Sequence, residues 1–555
     1  MDINSYADGM EPSYITVERI LERSEYYNNM MESVIHLKEQ IENGQGGEIM
    51  LKLSDELQSK LAQMKKLKEY TGYIHETLRT LPLHSKRLRQ AEEYFYQGKF
   101  PEMDRVLDAA TIREEIENLM DDCYSKDSER SRKALAGAER RSYELLVKAL
   151  YGYTFIDNPK WYEDVYSLLS DAHDASFNMH TMYELASYLM DTDEKEWACE
   201  LLDDAYIMYC KDVEEESCCL YGAKCLWALG VLSRRQGDTV GAIEYIGMAL
   251  KAYTALSEVN PAEYRPLMAD MLEIQGDYHV FSENYPVALI VFEEAMKIRR
   301  EIASDGNSEY AMYLAHVIDK LATVHLCLEE FSDAISRYEE ALKIMDDNIE
   351  YNLYDILKSK ASTLHNLTLA HFFIDDYQKA VSLAQEELEI RKRVQEIDLF
   401  GQLPQRAKTR ELLAELYLHL QRPEDAVRER EKVVKLYRIL SDHFPETYLP
   451  DLGEAINLCS NLCIRMKSYR RSFELLQESI EIFGKLSVTK PEDYLLVLGC
   501  LWRNVYYYYH KIDPNRKKAL EAAQESYRIL SSVERDEDSE EVFNDMKRVL
   551  GKSME

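Results

Sequence analysis

The chain has 555 residues, more than one ordinary hydrophobic core organises, so several domains or an array of repeats is expected. Its 20 glycines and 13 prolines are too few for a turn-rich all-β protein, and a hydrophobic content of 46% excludes wholesale disorder. The formal net charge of −34 repels nucleic-acid backbones and anionic membrane surfaces, so neither is expected as a partner.

The N-terminal sequence and the cysteines bear on the cellular compartment. The first ten residues lack the basic and apolar segments of a signal peptide, and no stretch approaches the length of about 18 apolar residues that a membrane span needs. Most of the 10 cysteines lie inside helical patterns and are typical of reduced core residues. A cytoplasmic protein is therefore expected.

Two amphipathic segments near the N-terminus are separated by a glycine-rich breaker at residues 43–47. Apolar residues recur every seven positions in these segments, as Tyr27 and Val34 do, which is coiled-coil spacing. We predict a helical hairpin or coiled coil over residues 14–82, after a disordered segment over residues 1–13. Closure of the hairpin within one chain and homodimerisation through it both agree with this spacing.

Residues 83–178 are predicted to hold a degenerate helical repeat and a connector. Gly98 and Phe100 lie where the degenerate repeat would turn. The pattern that follows favours one long linking helix from about Ile112 to Tyr151.

Small residues recur at a fixed interval through the rest of the chain. Ala288, Ala334, Ala380 and Ala426 follow one another at a spacing of 46 residues, each inside an amphipathic segment. Ala242 and Ser472 keep the same spacing on either side, and Ala198 and Ala519 extend it with small slips. Such a period indicates a repeat made of two helices joined by a short polar turn. About eight units are predicted over residues 179–532, followed by a C-terminal helix or tail over residues 533–555.

This pattern resembles the tetratricopeptide-repeat (TPR) family, whose first helix carries Leu-Gly or Leu-Ala and whose second helix carries alanine at fixed places. Leu229-Gly230, Leu321-Ala322 and Leu413-Ala414 match the first-helix part. The units are longer than the usual TPR of about 34 residues, and in this they are similar to the extended repeats of kinesin light chains and bacterial TPR scaffold proteins. The resemblance implies an all-α fold: a right-handed superhelical solenoid of helix-turn-helix repeats behind an N-terminal helical hairpin.

The resemblance also implies a binding surface, because the first helices of TPR arrays line a concave groove. The side chains of this chain that match groove positions are the following: Asp270, Glu273, Asp277, Asp319, Glu411, Glu415, Glu454, Asn457, Asn461 and Asn504. The carboxylates favour a basic peptide by charge complementarity. The asparagines would pair with the backbone of an extended peptide.

Motifs of catalysis and of metal binding are absent from the sequence, including the phosphate-binding loop and paired Cys-x-x-Cys. His279, His325 and His371 are spaced 46 residues apart, but stacked repeats lie too far apart to share a metal easily, so these residues are interpreted as core histidines. No catalytic residue, cofactor or metal is therefore predicted.

These patterns predict a non-catalytic protein-interaction scaffold that binds a protein or peptide, favouring a basic one, in the groove of the array. The alternative is a ligand- or peptide-responsive regulatory sensor in a bacterial signalling or defence system, in which the N-terminal hairpin transmits the binding event. Contact between the hairpin and the array would favour the sensor.

Overall fold

The structure is a computed structural model, and its regular elements are helices. The residues that it describes are the following: 17–43, 47–81, 85–155, 161–190, 192, 194–211, 216–304, 306–349, 353–395, 399–535 and 537–554. Strands are absent from these residues, and consecutive helices pack in pairs, which confirms the all-α repeat fold. The segment predicted to be disordered, residues 1–13, lies outside the described residues.

The chain divides into two compact units, Met1–Leu328 and Glu329–Glu555. The helices of the first unit are α1 (Val17–Glu22), α2 (Glu25–Asn43), α3 (Gly47–Thr80), α4 (Lys86–Tyr96), α5 (Phe100–Val106), α6 (Ala109–Cys123), α7 (Ser128–Phe155), α8 (Trp161–Ala175), α9 (Met179–Leu189), α10 (Lys195–Lys211), α11 (Glu216–Arg235), α12 (Thr239–Val259), α13 (Pro261–Phe281), α14 (Tyr285–Ala303) and α15 (Ser308–Cys327). The domain borders predicted from the sequence remain a proposal. They mark changes in the repeat pattern, whereas the two units are defined by which residues pack together.

The second unit continues the paired-helix pattern. Its helices are α16 (Phe331–Asp347), α17 (Leu353–Phe373), α18 (Tyr377–Gln395), α19 (Leu399–His419), α20 (Pro423–His443), α21 (Pro445–Arg465), α22 (Tyr469–Thr489), α23 (Pro491–Tyr507), α24 (Arg516–Leu530) and α25 (Glu537–Met554), with a π-helical turn at Tyr508–Ile512. The odd-numbered helices from α17 to α23 are the first helices of repeats, and the helix after each is its second helix.

The N-terminal hairpin is built from α2 and α3, which pack against each other. Val34 and Leu37 of α2 and Leu57 and Leu67 of α3 are buried, as the seven-residue spacing indicates. Helix α3 also packs against α7 of the same unit. Part of its apolar surface is therefore covered within one chain.

The hairpin begins with a separate short helix, α1, because the chain breaks at Ser24. The buried Ser24 side chain accepts a hydrogen bond from the Tyr27 N–H at 3.3 Å and so caps the start of α2. The break packs on the turn at Gly98, where φ is +70° and a Cβ atom would lie 2.7 Å from the Arg23 carbonyl carbon. Gly98 is thus required by both its backbone conformation and this close approach.

The prediction of one long linking helix from Ile112 to Tyr151 is wrong. Two helices, α6 and α7, occupy this region and pack against each other. The Asp127 side chain accepts hydrogen bonds from the Glu129 and Arg130 N–H groups at 3.0 and 3.2 Å. This local capping of α7 competes with continuation of α6 and ends the helix.

Small residues occupy two positions in the array, and each position recurs every 46 residues. The second-helix alanines predicted from the sequence, such as Ala288 and Ala380, are fully buried. A further small residue lies in each first helix, in chain order Ala223, Ala269, Ala315, Ala361, Ala407, Gly453 and Gly499. All seven are buried. Small side chains on both helices allow the close approach that pairs them.

The turns inside the repeats share one backbone conformation. Residues with a left-handed φ of 55° to 89° recur every 46 residues, in chain order Gly237, Glu283, Glu329, Asp375, Gln421 and Lys467. The N–H of the following residue returns to a carbonyl in the last turn of the first helix, as Arg422 does to Tyr417 at 2.7 Å. The first helix of each repeat therefore ends in the same way, although only Gly237 is the residue type that usually marks such an end.

Candidate functional site

In the first unit, three predicted groove carboxylates lie on one face of α13. Arg299 of α14 is only 2% exposed and donates hydrogen bonds to Glu273 at 2.9 Å and to Asp270. Lys320 of α15 donates to Asp277 at 2.8 Å and lies 3.5 Å from Glu273. Burial raises the pKa of the Asp270 carboxyl, and Arg299 opposes that effect. These three carboxylates are therefore bound by cations of the same chain.

Asp319, the fourth predicted acidic residue of the first unit, lies on α15 beside Lys320. The residue is half-buried, and its Oδ1 atom is shielded from solvent. The first unit therefore has its four predicted residues on α13 and α15, and the three on α13 are paired with cations of the same chain.

The second unit contains a different arrangement, which we call the acidic surface: Glu411, Asp451, Glu454, Asn457 and Asn461. Glu411 lies half-buried on α19, and the other four residues lie on α21. None of its three carboxylates forms an ion pair with a described residue. The sequence prediction missed Asp451, although its position three residues before Glu454 on one helix was a usable signal.

The charges of the acidic surface act on one another. Burial raises the pKa of Glu411, the nearby Arg430 opposes this, and the negative charges of Glu454 and Asp451 raise it further. Burial likewise raises the pKa of Asp451, with Lys408 opposing it. The charges of Glu454 and Asp451 therefore act unfavourably on ionised Glu411, and none of the three carboxylates forms an ion pair with a described residue, unlike the three carboxylates of α13 in the first unit.

The predicted asparagines extend the acidic surface along α21. Glu454, Asn457 and Asn461 are spaced three and four residues apart, so they share one helix face. The Oδ1 atom of Asn457 is buried and accepts no hydrogen bond from the described residues. An unpaired buried amide oxygen is energetically costly.

Two predicted residues of the second unit lie outside this group. Asn504 is on α23, and its amide oxygen lies 3.4 Å from Nη2 of the neighbouring Arg503. Glu415 is half-exposed on α19, one turn after Glu411, and lies 4.0 Å from Nε2 of His419.

The N-terminal hairpin contacts the array within the first unit. Glu76 near the end of α3 lies 2.9 Å from the Lys224 ammonium of α11. Arg79, one turn later, donates to Glu263 of α13 at 3.1 Å. These two ion pairs, which we call the hairpin latch, join residues that are more than a hundred positions apart in sequence. Contact of this kind is what the sensor alternative requires.

Comparison with known proteins finds similarity only among solved structures. No protein-family model matches the chain, and no curated protein matches it. Among solved structures, the apo form of RapI is 16% identical with a TM-score of 0.36, over 56% of this chain and 98% of that one. Aspartyl phosphate phosphatase F from Bacillus subtilis is 16% identical with a TM-score of 0.39, over 78% and 97%. A signal-transduction ATPase with a tetratricopeptide-repeat sensor from Pyrococcus horikoshii is 13% identical with a TM-score of 0.42, over 91% and 75%.

The repeats of this chain resemble tetratricopeptide repeats in sequence pattern and in their paired helices. At the identities just given, the likeness concerns the fold alone and identifies no ligand, partner or activity for this chain. In the part of the chain that the structure describes, no helix is both long enough and apolar enough to cross a membrane.

Glu184 of α9 lies beside the hairpin latch, and its charge state depends on pH. Burial raises the pKa of the Glu184 carboxyl from its ordinary value of 4.5 to about 7, with Lys224 opposing and Glu76 adding to the rise. The folded protein therefore holds this proton more tightly than the unfolded chain does. Above about pH 7 the folded protein carries the full free-energy penalty of an ionised, buried Glu184. This penalty decreases as the pH falls toward 4.5, where Glu184 is protonated in the folded state.

We expect the Glu184→Gln substitution to stabilise the first unit at about pH 8 by about 1–3 kcal/mol, and to have little effect near pH 5. Thermal unfolding of the full chain at the two pH values measures this difference. Glu200→Gln is the matched control, because Glu200 is an exposed glutamate on the adjacent helix α10. An equal pH dependence in Glu184→Gln and in the unsubstituted protein would contradict the assignment.

Proposed function

We propose that this chain is a cytoplasmic, non-catalytic scaffold that binds a basic segment of a protein or peptide partner on the acidic surface of its second unit. The observation that carries the proposal is the group Glu411, Asp451 and Glu454: none of them forms an ion pair with a described residue, and the charges of Glu454 and Asp451 repel the ionised Glu411 carboxylate. A lysine or arginine of a partner would remove this repulsion.

The surroundings of the carboxylates support an extended peptide as the ligand. Glu411 is half-buried, so a cation that reaches it is attracted more strongly than it would be in open water. Asn457 and Asn461 follow Glu454 on the same face of α21 and would hydrogen-bond to peptide backbone whatever its sequence. Charge would thus select a basic partner, and the amides would hold its main chain.

The proposal is tested with the triple variant Glu411→Gln, Asp451→Asn and Glu454→Gln, which removes the charges with little change of shape. We expect the full-length protein to bind a fluorescent pool of extended peptides rich in lysine and arginine, and the triple variant to bind it about 10- to 100-fold more weakly. Fluorescence anisotropy measures both affinities. A pool of acidic peptides of equal length tests whether the protein prefers positively charged peptides.

The matched control carries Glu474→Gln, Glu481→Gln and Glu521→Gln, which remove as much charge from exposed positions on α22 and α24. This control should keep the affinity of the unsubstituted protein. Equal weakening in both triple variants would mean that the net charge of −34, and not the acidic surface, attracts the peptides. If neither variant weakens binding, the peptides bind at another surface of the protein.

The regulatory sensor is the second candidate, and the hairpin latch favours it. Helix α13 carries Glu263 of the latch as well as the predicted groove residues Asp270, Glu273 and Asp277. A ligand that bound α13 would therefore act on the helix that holds the hairpin. In the same peptide titration, faster hydrogen exchange in α3 on binding would favour the sensor, and unchanged exchange would favour the scaffold.

A further inference from the structure

A cavity of about 550 Å³ lies in the second unit between α18, α19 and α20. Leu388 and Leu413 supply apolar surface in its wall, and Tyr417 adds an aromatic ring. This volume falls in the range of sites for small organic ligands, which combine apolar walls with a few polar groups.

The charged residues of this cavity are mostly positive, although the chain as a whole carries −34. Four cations line it: Lys392, Arg406, Arg410 and Lys432. The carboxylates that line it are Glu389 and Glu429. Glu429 is shared, since Arg410 lies 2.5 Å from it and Lys432 lies 2.6 Å from it. Positive charge is therefore in excess inside the cavity.

Two of the cations form no ion pair with a carboxylate of the described residues. Lys392 is exposed and has no ion-pair partner among the described residues. Arg406 donates from Nη1 to the neutral amide oxygen of Gln395, and its Nε atom is buried without an acceptor among those residues. Burial lowers the pKa of Arg406, the charge of Arg410 lowers it further, and the charge of Glu389 opposes both effects. Bringing cations together in a partly buried cavity is unfavourable unless an anion joins them.

The equivalent cavity two repeats later indicates that the shape comes from the fold and the charge from the local sequence. A cavity of about 570 Å³ lies between α22, α23 and α24, lined by residues such as Gln477 and Tyr509, which are 92 positions after Gln385 and Tyr417. In place of Lys392, Arg406 and Arg410, the same register has Gly484, Leu498 and Trp502. The basic residues are thus not required to build this kind of cavity.

The basic cavity is also separate from the acidic surface. Successive residues of an α-helix point about 100° apart, so Arg410 and Glu411 face different sides of α19. Arg410 and Glu411 are neighbours in sequence, but Arg410 contacts Glu429 of α20, whereas Glu411 interacts with the charges of α21. A ligand of one surface therefore need not occupy the other.

We propose that the basic cavity binds a small multivalent anion, with phosphate or carboxylate groups held by Arg406, Arg410 and Lys392 and its apolar part resting on Leu388 and Leu413. Guanidinium groups suit this role because they bind the oxygens of phosphate and carboxylate in pairs. Phosphate esters and polycarboxylates share this chemistry, and inorganic pyrophosphate and citrate serve as the probes that distinguish them.

Isothermal titration of the full chain with each probe tests the proposal. We expect at least one probe to bind, and the variant Lys392→Gln with Arg406→Gln to bind it at least tenfold more weakly. A phosphate ester is indicated if pyrophosphate binds more tightly, and a polycarboxylate if citrate does. The matched control is Arg470→Gln with Lys485→Gln, which removes the same charges from the exposed face of α22 and should leave affinity unchanged.

Lys392→Gln alone is the second variant, because Lys392 is exposed and its replacement does not threaten the fold. It should weaken binding about threefold or more while the helical content stays the same. The proposal is overturned if neither probe binds, or if both the single and the double variant bind as tightly as the control.

Discussion

Replacing Glu387 with glutamine should lower the free energy of unfolding of the second unit by about 3–5 kcal/mol. Glu387 lies on α18 and has no exposed surface. Arg391 of the same helix, itself only 4% exposed, donates to it at 2.6 Å, and Thr409 of α19 donates at 2.7 Å. His365 Nδ1 of α17 lies 3.2 Å away. Glutamine would leave the Arg391 charge buried without its counter-charge, and an unpaired buried charge strongly destabilises the folded state.

The neighbouring Glu386 provides a matched control for this prediction. Its side chain is 51% exposed, and its carboxylate lies 3.7 Å from the Lys360 ammonium. Glu386→Gln should therefore change the free energy of unfolding by about 0.5 kcal/mol or less. Urea unfolding of the full chain, followed by circular dichroism, compares the two variants. Similar unfolding midpoints for Glu386→Gln and Glu387→Gln would contradict a stabilising role for the buried Glu387–Arg391 pair.

A double variant separates the charge from the packing. With Glu387→Met and Arg391→Met together, neither charge is left alone, and apolar side chains fill the space. We expect this protein to recover most of the stability that Glu387→Gln loses, because apolar replacement of a whole buried pair is often neutral or stabilising. A double variant as unstable as the single one would point to the hydrogen bonds of Thr409 and His365 instead.

The repeat register was predictable because small residues must recur where helices approach closely. Ala288, Ala334, Ala380 and Ala426 differ from their surroundings in size, and their spacing of 46 residues needs no structure to be read. The first-helix series that ends in Gly499 was missed, because its alanines lie in helices where alanine is common anyway. Sequence periodicity therefore reveals the repeat length of the array, but it does not reveal every position at which the helices contact one another.

The turns and the linker were harder to predict, because their cause is local backbone geometry. Glu283 and Lys467 adopt a left-handed φ of 56° and 59°, yet neither residue type signals such a turn. Asp127 ends the expected long helix by capping α7, and an aspartate inside an amphipathic pattern is equally compatible with a continuous helix.

The helical spacing of the predicted site residues could be read from the sequence, but the compensation of their charges could not. Asp270, Glu273 and Asp277 could be assigned to one helix face from their spacing alone. Their compensation by Arg299 and Lys320 depends on neighbouring helices, and helical spacing does not give side-chain contacts between helices. The basic cavity was missed for the same reason, because Lys392 and Arg410 meet only when α18 and α19 pack.

Gly276→Ala should destabilise the first unit by about 2 kcal/mol, although alanine is the better helix former. Gly276 lies on α13, and a Cβ atom there would be 2.5 Å from Cε1 and 2.7 Å from Cζ of Phe292 on α14. The Phe292 ring is 1% exposed and has no free space to enter, so the helices must separate. The cost of this separation exceeds the gain of about 1 kcal/mol in helix propensity.

Gly247→Ala is the control with the opposite expected sign. Gly247 lies on the adjacent helix α12, and the atom near its added Cβ would be the flexible Gln275 amide nitrogen at 3.7 Å. The propensity gain is then unopposed, so this variant should be more stable by about 0.5–1 kcal/mol. Thermal unfolding of the full chain measures both changes. Phe292→Leu added to Gly276→Ala should restore part of the loss, because a smaller side chain leaves room for the methyl group. If Gly276→Ala stabilises the protein as Gly247→Ala does, then α13 and α14 are not packed at the distance that the small residues indicate.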